Sequence, residues 1–275
     1  MKLICLNIWG GKLFEPLVEF IKRSAETADI FCFQEVFQTP GEPLYGELAS
    51  PEFIEGTEPK PLPSGGHADM FAVFEKILPD FRGYFAKNEE GWDFHQPVSF
   101  PIALGQASFV RNALTVRAHR QISVYETASG KVEEKWERPR GMQYLEIDDG
   151  KDMPLRIFNL HGLLDSGHKR DTEKRLAHFE LARKYVDEAV SRTILCGDFN
   201  AYPDTRSVGM FEEKMRNLLK EYGMPRTRNS NYADMEKYSD YWGDHIFATP
   251  DIKVNNFAVL EDIVSDHMAL MVEFS

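Results

Sequence analysis

Acids, amides and histidines that could act on a phosphate group occur directly after apolar stretches of this sequence. The run Gly-Asp-Phe-Asn occupies residues 197–200 and Ser-Asp-His occupies 265–267, while Asn7 and Glu35 follow apolar runs near the start. A hard divalent cation such as Mg²⁺ prefers oxygen ligands and keeps several waters, so one or two carboxylates and an amide can hold it. Glu35, Asp266 and Asn7 fit that need. We therefore predict an enzyme that hydrolyses a phosphate ester with the help of one cation.

Further residues could address the phosphate or move a proton. Asp198 and Asn200 are two apart, so in an extended backbone their side chains point the same way, towards one phosphate or one attacking water. His161 and His267 could accept and give a proton near neutral pH, and Asp244 could orient such an imidazole. Each pattern taken alone also fits a simple turn or a structural histidine. The combination favours catalysis.

Size and charge bound the class of protein. The chain has 275 residues, 43% of them hydrophobic, which is enough for a sizeable core, and we expect one domain over residues 1–275 and a monomer. Its 32 Lys and Arg against 44 Asp and Glu give a net charge of −12. That balance does not favour a protein that grips long nucleic acid through its phosphates. A small-molecule or lipid-headgroup ester is the preferred substrate, and DNA or RNA is the alternative.

Cysteine usage and the first residues predict the compartment. Cys5, Cys32 and Cys196 each lie in an apolar segment without the CxxC spacing of a zinc or redox site, so we interpret them as core residues. The opening apolar run is too short for a signal peptide or a transmembrane segment. We expect a cytoplasmic protein.

Strands and helices alternate along the chain. Residues 38–68 are rich in Pro, Gly, Ser and Glu, which predicts a long loop that either borders the substrate or is a plain excursion. The aromatic residues at 92–95 either face a ligand or cover the core. Apolar periodicity predicts helices near 14–21, 70–78, 172–190 and 208–215, and strands at 3–8, 30–36, 81–85, 102–110, 113–116, 122–126, 131–136, 142–147, 155–160, 193–196, 245–248, 257–260 and 268–274.

Six short segments together resemble the endonuclease/exonuclease/phosphatase superfamily, the deoxyribonuclease-like hydrolases. They occur in the family's order and span nearly the whole chain. The resemblance implies a four-layered α/β/β/α sandwich, in which two mixed sheets pack face to face with helices outside. Residues 165–175 also resemble a pattern of bacterial members. The six segments are Leu-Asn-Ile-Trp at 6–9, Phe-Gln-Glu-Val at 33–36, Asn-Leu-His-Gly at 159–162, Leu-Cys-Gly-Asp-Phe-Asn at 195–200, Asp-His-Ile-Phe at 244–247 and Val-Ser-Asp-His at 264–267.

The same resemblance implies a metal site. Glu35, with Asn7 and Asp266, would hold Mg²⁺ or Mn²⁺. Asp198 and Asn200 would position the attacking water and the phosphate. The implied activity is metal-dependent phosphoester hydrolysis, and a binding protein that kept the fold without the chemistry is the rival hypothesis.

The histidines receive roles from the resemblance as well. His267, oriented by Asp244, would be the general base or a donor to the transition state, and the role of base stays shared with Asp198. His161 would bind a phosphoryl oxygen or assist the leaving group. Relatives pair that histidine with an acid from an earlier strand, for which the candidates are Glu89, Glu90 and Asp93. Basic residues that could meet the phosphate, or else be ordinary surface charges, are Arg111, Arg140, Lys169 and Arg175.

Overall fold

Two six-stranded mixed sheets form the centre of the molecule. The computed structural model describes residues 1–39, 61–132, 138–165, 168–189, 191–232 and 241–275. In the first sheet the strands lie in the order β11 (Val254–Val259), β12 (Leu270–Phe274), β1 (Lys2–Asn7), β2 (Ile30–Gln38), β4 (Ala103–Arg111) and β3 (Phe81–Glu90). In the second sheet the order is β5 (Thr115–Tyr125), β6 (Arg140–Asp148), β7 (Leu155–His161), β8 (Thr193–Asp198), β10 (Asp244–Ala248) and β9 (Arg216–Asn217). The pairs β1 with β2 and β7 with β8 are parallel, and the other neighbours are antiparallel.

The helices have the following bounds. The α-helices are α1 (Phe14–Ala25), α2 (Met70–Ile77), α3 (Glu173–Glu188), α4 (Arg206–Glu212) and α5 (Leu218–Glu221).

The central strands are apolar on both faces because each sheet is covered on both sides. Successive side chains of a strand point to opposite faces, so Leu3 and Cys5 of β1 join the core between the sheets, while Ile4 and Leu6 face outwards. All three cysteines are free thiols buried in the core between the sheets, as predicted: Cys5, Cys32 and Cys196.

Helices cover the two outer faces. Helices α1 and α2 pack on the first sheet, where Phe74 contacts Phe33 at a ring-centroid distance of 4.9 Å. Helices α3 and α4 pack on the second sheet, where Phe179 lies 5.7 Å from Phe199. The layers therefore run helix, sheet, sheet, helix, which confirms the predicted α/β/β/α sandwich.

Several predicted boundaries changed in the structure. The two short strands predicted at 113–116 and 122–126 form one long strand, β5, and β9 and α5 were not predicted. Helix α3 begins after Thr172, whose hydroxyl accepts the backbone N–H of Arg175 at 3.1 Å. Residues 40–60 of the predicted loop and 133–137 of the predicted strand at 131–136 lie outside the described residues. None of the helices in the described parts of the chain has the length and apolar run that crossing a lipid bilayer would need.

Candidate active site

Strand ends bring the predicted site residues to one edge of the sandwich. Asn7 ends β1, His161 ends β7 and Asp198 ends β8. His161 is paired in register with Asp198 across parallel strands, and Asp244, the first residue of the antiparallel β10, is also paired with Asp198. Glu35 follows the β2 residue that is paired with Asn7. Parallel strands end at a common edge, which is why segments so distant in sequence converge.

Two of these residues depart from extended backbone. Glu35 has φ 57° and lies in the irregular step between Phe33 and Val36, where the pairing of β2 with β4 shifts register. Asn200 has φ 50°. Left-handed conformations are uncommon for residues other than glycine and cluster at functional sites. Both side chains line the same pocket.

This pocket has a volume of about 230 Å³. It combines carboxylates, basic groups and histidines with an aromatic and aliphatic wall. Such a mixture suits a ligand that carries a charged group on a partly apolar body. The lining residues are Trp9, Lys12, Glu35, Phe94, His95, Leu104, Arg138, Arg140, His161, Leu164, Asp198, Asn200, Arg228, Tyr232, Asp266 and His267.

Negative charge is concentrated around Glu35. Burial raises the pKa of the Glu35 carboxyl to about 7, and the charges of Asp266 and Asp198 add to that rise. The Asn7 amide donates to Asp198 Oδ2 at 3.2 Å and also stabilises the Glu35 carboxylate. A divalent cation between Glu35 and Asp266 would offset this repulsion, and oxygen donors are the ligands that Mg²⁺ and Mn²⁺ prefer. The donor set fits the predicted metal site.

A second cluster of possible ligands is better described as a hydrogen-bond network. Asp198, Asp244 and His267 place ligand-type atoms within 4.8 Å of one another. However, Nδ1 of His267 is hydrogen-bonded to Asp244 Oδ1 at 2.8 Å, and its Nε2 is hydrogen-bonded to Arg228 Nη1. Burial and the Arg228 charge lower the pKa of His267 to about 3. With both ring nitrogens already engaged, this imidazole is unsuited to hold a cation.

His161 lies beside Glu35, and the three acids considered as its partner are engaged by other groups. Its Nε2 is 3.7 Å from Glu35 Oε1, and its buried Nδ1 has no hydrogen-bond partner among the described residues. Burial and the Arg140 charge lower its pKa well below the usual value, so the ring is neutral. The three candidate acids have other contacts: Glu89 binds Arg138, Glu90 binds Lys87, and Asp93 accepts the backbone N–H groups of Ser64, His95 and Gln96.

The four predicted phosphate-binding basic residues do not lie together. Arg140 lines the pocket, with a buried Nε that lacks a hydrogen-bond partner among the described residues. Arg111 is the last residue of β4, at the end opposite to the pocket-lining Leu104, and it donates to the carbonyls of Ala25 and Ala28.

The remaining two support loops and do not line the pocket. Lys169 donates to the Trp242 carbonyl at 2.9 Å. Arg175 is buried and donates to the carbonyls of Leu163, Arg170 and His168, so it is neither a pocket residue nor the ordinary surface charge that was the alternative.

Sequence reasoning missed three basic residues of the pocket, namely Arg228, Arg138 and Lys12. Arg228 reaches the site through an isolated β-bridge with His267, and Arg138 through a buried ion pair with Glu89. Neither lies in one of the six motifs. Lys12 directly follows the Gly-Gly turn after β1, which is the one local signal that could have indicated it.

Comparison with known proteins identifies the family. A sequence profile of the Endonuclease/Exonuclease/phosphatase family matches residues 4–267, so the chain belongs to this family, as predicted. Members are generally hydrolases that act on phosphoester bonds and typically use a divalent metal. A search of curated proteins by sequence finds no match.

Solved structures show the same fold at low sequence identity. A mannosyl-6-phosphatase from Bacteroides thetaiotaomicron is 17% identical with a TM-score of 0.67, over 100% of this chain and 99% of that chain. A family protein from Leptotrichia buccalis is 16% identical with a TM-score of 0.69, over 100% and 99% of the two chains. The human Nocturnin catalytic domain with a bound sulfate anion is 16% identical with a TM-score of 0.63, over 100% and 93%.

Proposed function

We propose that this chain is a divalent-metal-dependent phosphoester hydrolase, a phosphodiesterase or phosphatase that acts on a small-molecule or lipid-headgroup ester. The observation that carries the proposal is the convergence of Glu35, His161, Asp198 and Asp266 on one pocket from distant parts of the chain. The aromatic and aliphatic wall beside these groups gives room for the body of an ester.

The residues around Glu35 bind the metal in this proposal. Glu35 and Asp266 supply carboxylate oxygens, and the Asn7 amide stabilises the Glu35 carboxylate and donates to Asp198. The bound cation would neutralise part of the negative charge on the phosphoryl group. His161 is neutral and buried, so it serves as a hydrogen-bond donor to a phosphoryl oxygen.

Asp198 and Asn200 orient the attacking water. The water oxygen forms a bond to phosphorus while the bond from phosphorus to the leaving oxygen breaks, and the leaving oxygen takes that electron pair. The proton of the water passes to a carboxylate. Because Nε2 of His267 is engaged by Arg228, we assign that proton to Asp198, which the backbone N–H of Asn200 holds by a 2.9 Å hydrogen bond to Oδ1.

Charge within the pocket favours a compact substrate. Arg138 is paired with Glu89, and Arg228 with Asp198 and Asp266, so much of the local positive charge is already balanced. Long nucleic acid binds through many unbalanced basic groups along a surface. Nucleic acid stays the second candidate substrate because four lysine and arginine side chains line the described pocket, namely Lys12, Arg138, Arg140 and Arg228.

A turnover screen with a matched pair of variants tests the function. We expect the wild-type protein to hydrolyse at least one phosphate ester only when Mg²⁺ or Mn²⁺ is added. Glu35→Gln should lower kcat/KM by at least about 100-fold, because it removes a ligand charge, and should weaken Mn²⁺ binding measured by calorimetry. Glu90→Gln is the control, since this exposed carboxylate is paired with Lys87 away from the pocket.

Two results would contradict the proposal. One is the absence of metal-dependent turnover across phosphomonoesters, phosphodiesters, lipids and nucleic acids. The other is full activity in Glu35→Gln. Faster turnover of DNA or RNA than of every small ester would instead favour nucleic acid, the second candidate substrate.

A further inference from the structure

Two amide side chains join the sheets behind the candidate active site. Gln34 of β2 follows Cys32 by two residues, and Asn159 of β7 follows Ile157 by two, so both side chains point into the core between the sheets. They are 0% and 1% exposed. Nε2 of Gln34 donates to Oδ1 of Asn159 at 2.6 Å. The pair is therefore a buried polar link across an otherwise apolar contact.

The Phe33 carbonyl fixes the orientation of this pair. A carbonyl can only accept, so Nδ2 of Asn159 donates to it, at 3.1 Å. Oδ1 of Asn159 is then the atom that faces Gln34. Nδ2 also lies 3.5 Å from Oε1 of Gln143, which accepts from Ser108 Oγ at 2.7 Å. Asn159 thus binds β2 from the opposite sheet by two hydrogen bonds, one to its backbone and one to a side chain.

Both bonds meet β2 at its irregular step. The pairing of β2 with β4 shifts between Phe33 and Val36, where Gln34 and Glu35 together stand opposite one residue of β4. Such a β-bulge redirects a side chain, and Glu35 takes the left-handed φ of 57° there. A left-handed residue other than glycine persists only where its surroundings hold it. Asn159 binds the two residues directly before Glu35 and so supplies part of that restraint.

The candidate active site is divided between the two sheets. Glu35 belongs to the first sheet, whereas His161 and Asp198 end strands of the second. Nε2 of His161 lies 3.7 Å from Oε1 of Glu35. Asn159 precedes His161 by two residues on β7, so it connects the His161 side of the pocket directly to the β2 bulge. Apolar burial is non-directional, whereas hydrogen bonds constrain both distance and angle. The Asn159 contacts can therefore set where Glu35 lies relative to His161.

We propose that Gln34 and Asn159 are positioning residues, whose hydrogen bond across the core holds the β2 bulge that directs the Glu35 carboxylate into the pocket beside His161. The inference rests on the proposed function, in which Glu35 is a metal ligand. Neither amide is among the residues that line the pocket, so both act through the residues they hold. A shift of about 1 Å at a catalytic group can lower a rate by roughly 100-fold.

Matched apolar variants separate positioning from stability. Asn159→Leu leaves the Gln34 amide buried without this acceptor and should lower the melting temperature by about 3–8 °C. The double variant Gln34→Met with Asn159→Leu replaces both partners by apolar groups of similar shape, so it should regain at least about half of that shift. Its kcat/KM and its Mn²⁺ affinity, measured by calorimetry, should nevertheless stay at least about tenfold below wild type.

Ser108→Ala is the control. It removes a different hydrogen bond between the sheets, the one from β4 to Gln143 on β6, and should also lower the melting temperature. The β2 bulge keeps both of its bonds to Asn159 in this variant. Its kcat/KM and Mn²⁺ affinity should therefore stay within about twofold of wild type.

Crystal structures of the wild type and the double variant test the geometry without turnover. We expect the distance between Glu35 Oε1 and His161 Nε2 to change by more than about 1 Å in the double variant. If that variant does not fold, Gln34→Met alone is used, because it leaves Asn159 bound to the Phe33 carbonyl.

The outcomes distinguish this inference from the proposed function. Unchanged Glu35 geometry in the double variant would overturn the inference, and so would a return of kcat/KM to the wild-type value together with stability. If wild type shows no metal-dependent turnover, the proposed function fails, while the two structures still decide whether the amide pair positions Glu35.

Discussion

Asn200 combines a strained backbone conformation with a position in the candidate active site. Its φ of 50° is left-handed, its backbone N–H binds Asp198 Oδ1, and its Nδ2 donates to the Gly162 carbonyl at 3.2 Å. Asparagine tolerates this conformation better than most residues because its short polar side chain can bond locally. The side chain thereby lines the pocket beside Asp198, the proposed acceptor of the water's proton.

Replacing Asn200 by glycine should separate stability from activity. Glycine removes the backbone strain, about 1 kcal/mol, and loses one hydrogen bond of about the same value, so the free energy of unfolding should change by less than about 1 kcal/mol. The kcat/KM should fall at least tenfold. Asn200→Ala, which keeps the strain, should be less stable than Asn200→Gly. Urea unfolding and turnover measure both quantities, and equal activity in Asn200→Gly and wild type would contradict the assigned role.

The sequence predicted the residues of the site better than it predicted the basic groups around them. Glu35 and Asp198 were found because each follows an apolar run within a recognisable motif. Arg228 was missed because it reaches the site only through long-range pairing with His267. Arg175 was considered as a phosphate ligand or a surface charge, but it is buried and donates to loop carbonyls. Such carbonyls need donors, and sequence periodicity does not reveal which residue supplies them.

At the scale of elements, the close approach of β7 and β8 depends on glycine. Gly197 has φ 144°, and a Cβ there would lie 1.9 Å from the Leu160 carbonyl oxygen. The parallel strand ends that carry His161 and Asp198 can be neighbours only because this position has no side chain. The glycine of the Gly-Asp-Phe-Asn motif is therefore a packing requirement of the site.

Gly197→Ala should be strongly destabilising. The added methyl group must push β7 and β8 apart, and we expect a loss of more than about 3 kcal/mol in the free energy of unfolding, from overpacking and backbone strain together. Gly209→Ala in α4 is the control, because a Cβ there meets nothing within 4 Å and should stabilise the helix by about 0.5–1 kcal/mol. Chemical unfolding of the two variants checks this. Similar free energies of unfolding in the two variants would show that β7 and β8 can move apart without destabilising the protein.

Periodicity predicted most elements because each strand or helix has a covered apolar face. The exceptions have local reasons. Most of β5 is exposed, and an edge strand without a buried face offers little apolar pattern to follow, so it was read as two pieces. The two-residue β9 is too short to have any periodicity.

At the scale of the whole molecule, stability should fall in mild acid. Burial lowers the pKa of His178 to about 3 and that of His245 to about 4. The unfolded chain takes up these protons from about pH 6.5 downwards while the folded chain stays neutral, so stability is complete above that pH and is lost as pH falls. Together the two histidines should remove roughly 3 kcal/mol between about pH 6.5 and about pH 5.

Urea unfolding at the two pH values measures this dependence. The variant His178→Gln should reduce the loss of stability between the two pH values by roughly 1.5 kcal/mol, and the double variant with His245→Gln by roughly 3 kcal/mol. Each glutamine can retain a hydrogen bond made by the ring it replaces, to the Leu163 N–H and the Ala201 carbonyl. An unchanged pH dependence in the double variant would show that other groups cause the acid lability.

The three cysteine thiols buried between the sheets can report when the two sheets separate. Cys5 and Cys32 are neighbours on β1 and β2, and Cys196 faces them from β8. Burial raises the pKa of the Cys5 and Cys196 thiols, so neither is a reactive thiolate in the closed sandwich. An alkylating reagent reaches them only when the layers part. The labelling rate therefore reports how often the two sheets that carry Glu35 and Asp198 separate, without the introduction of any new cysteine.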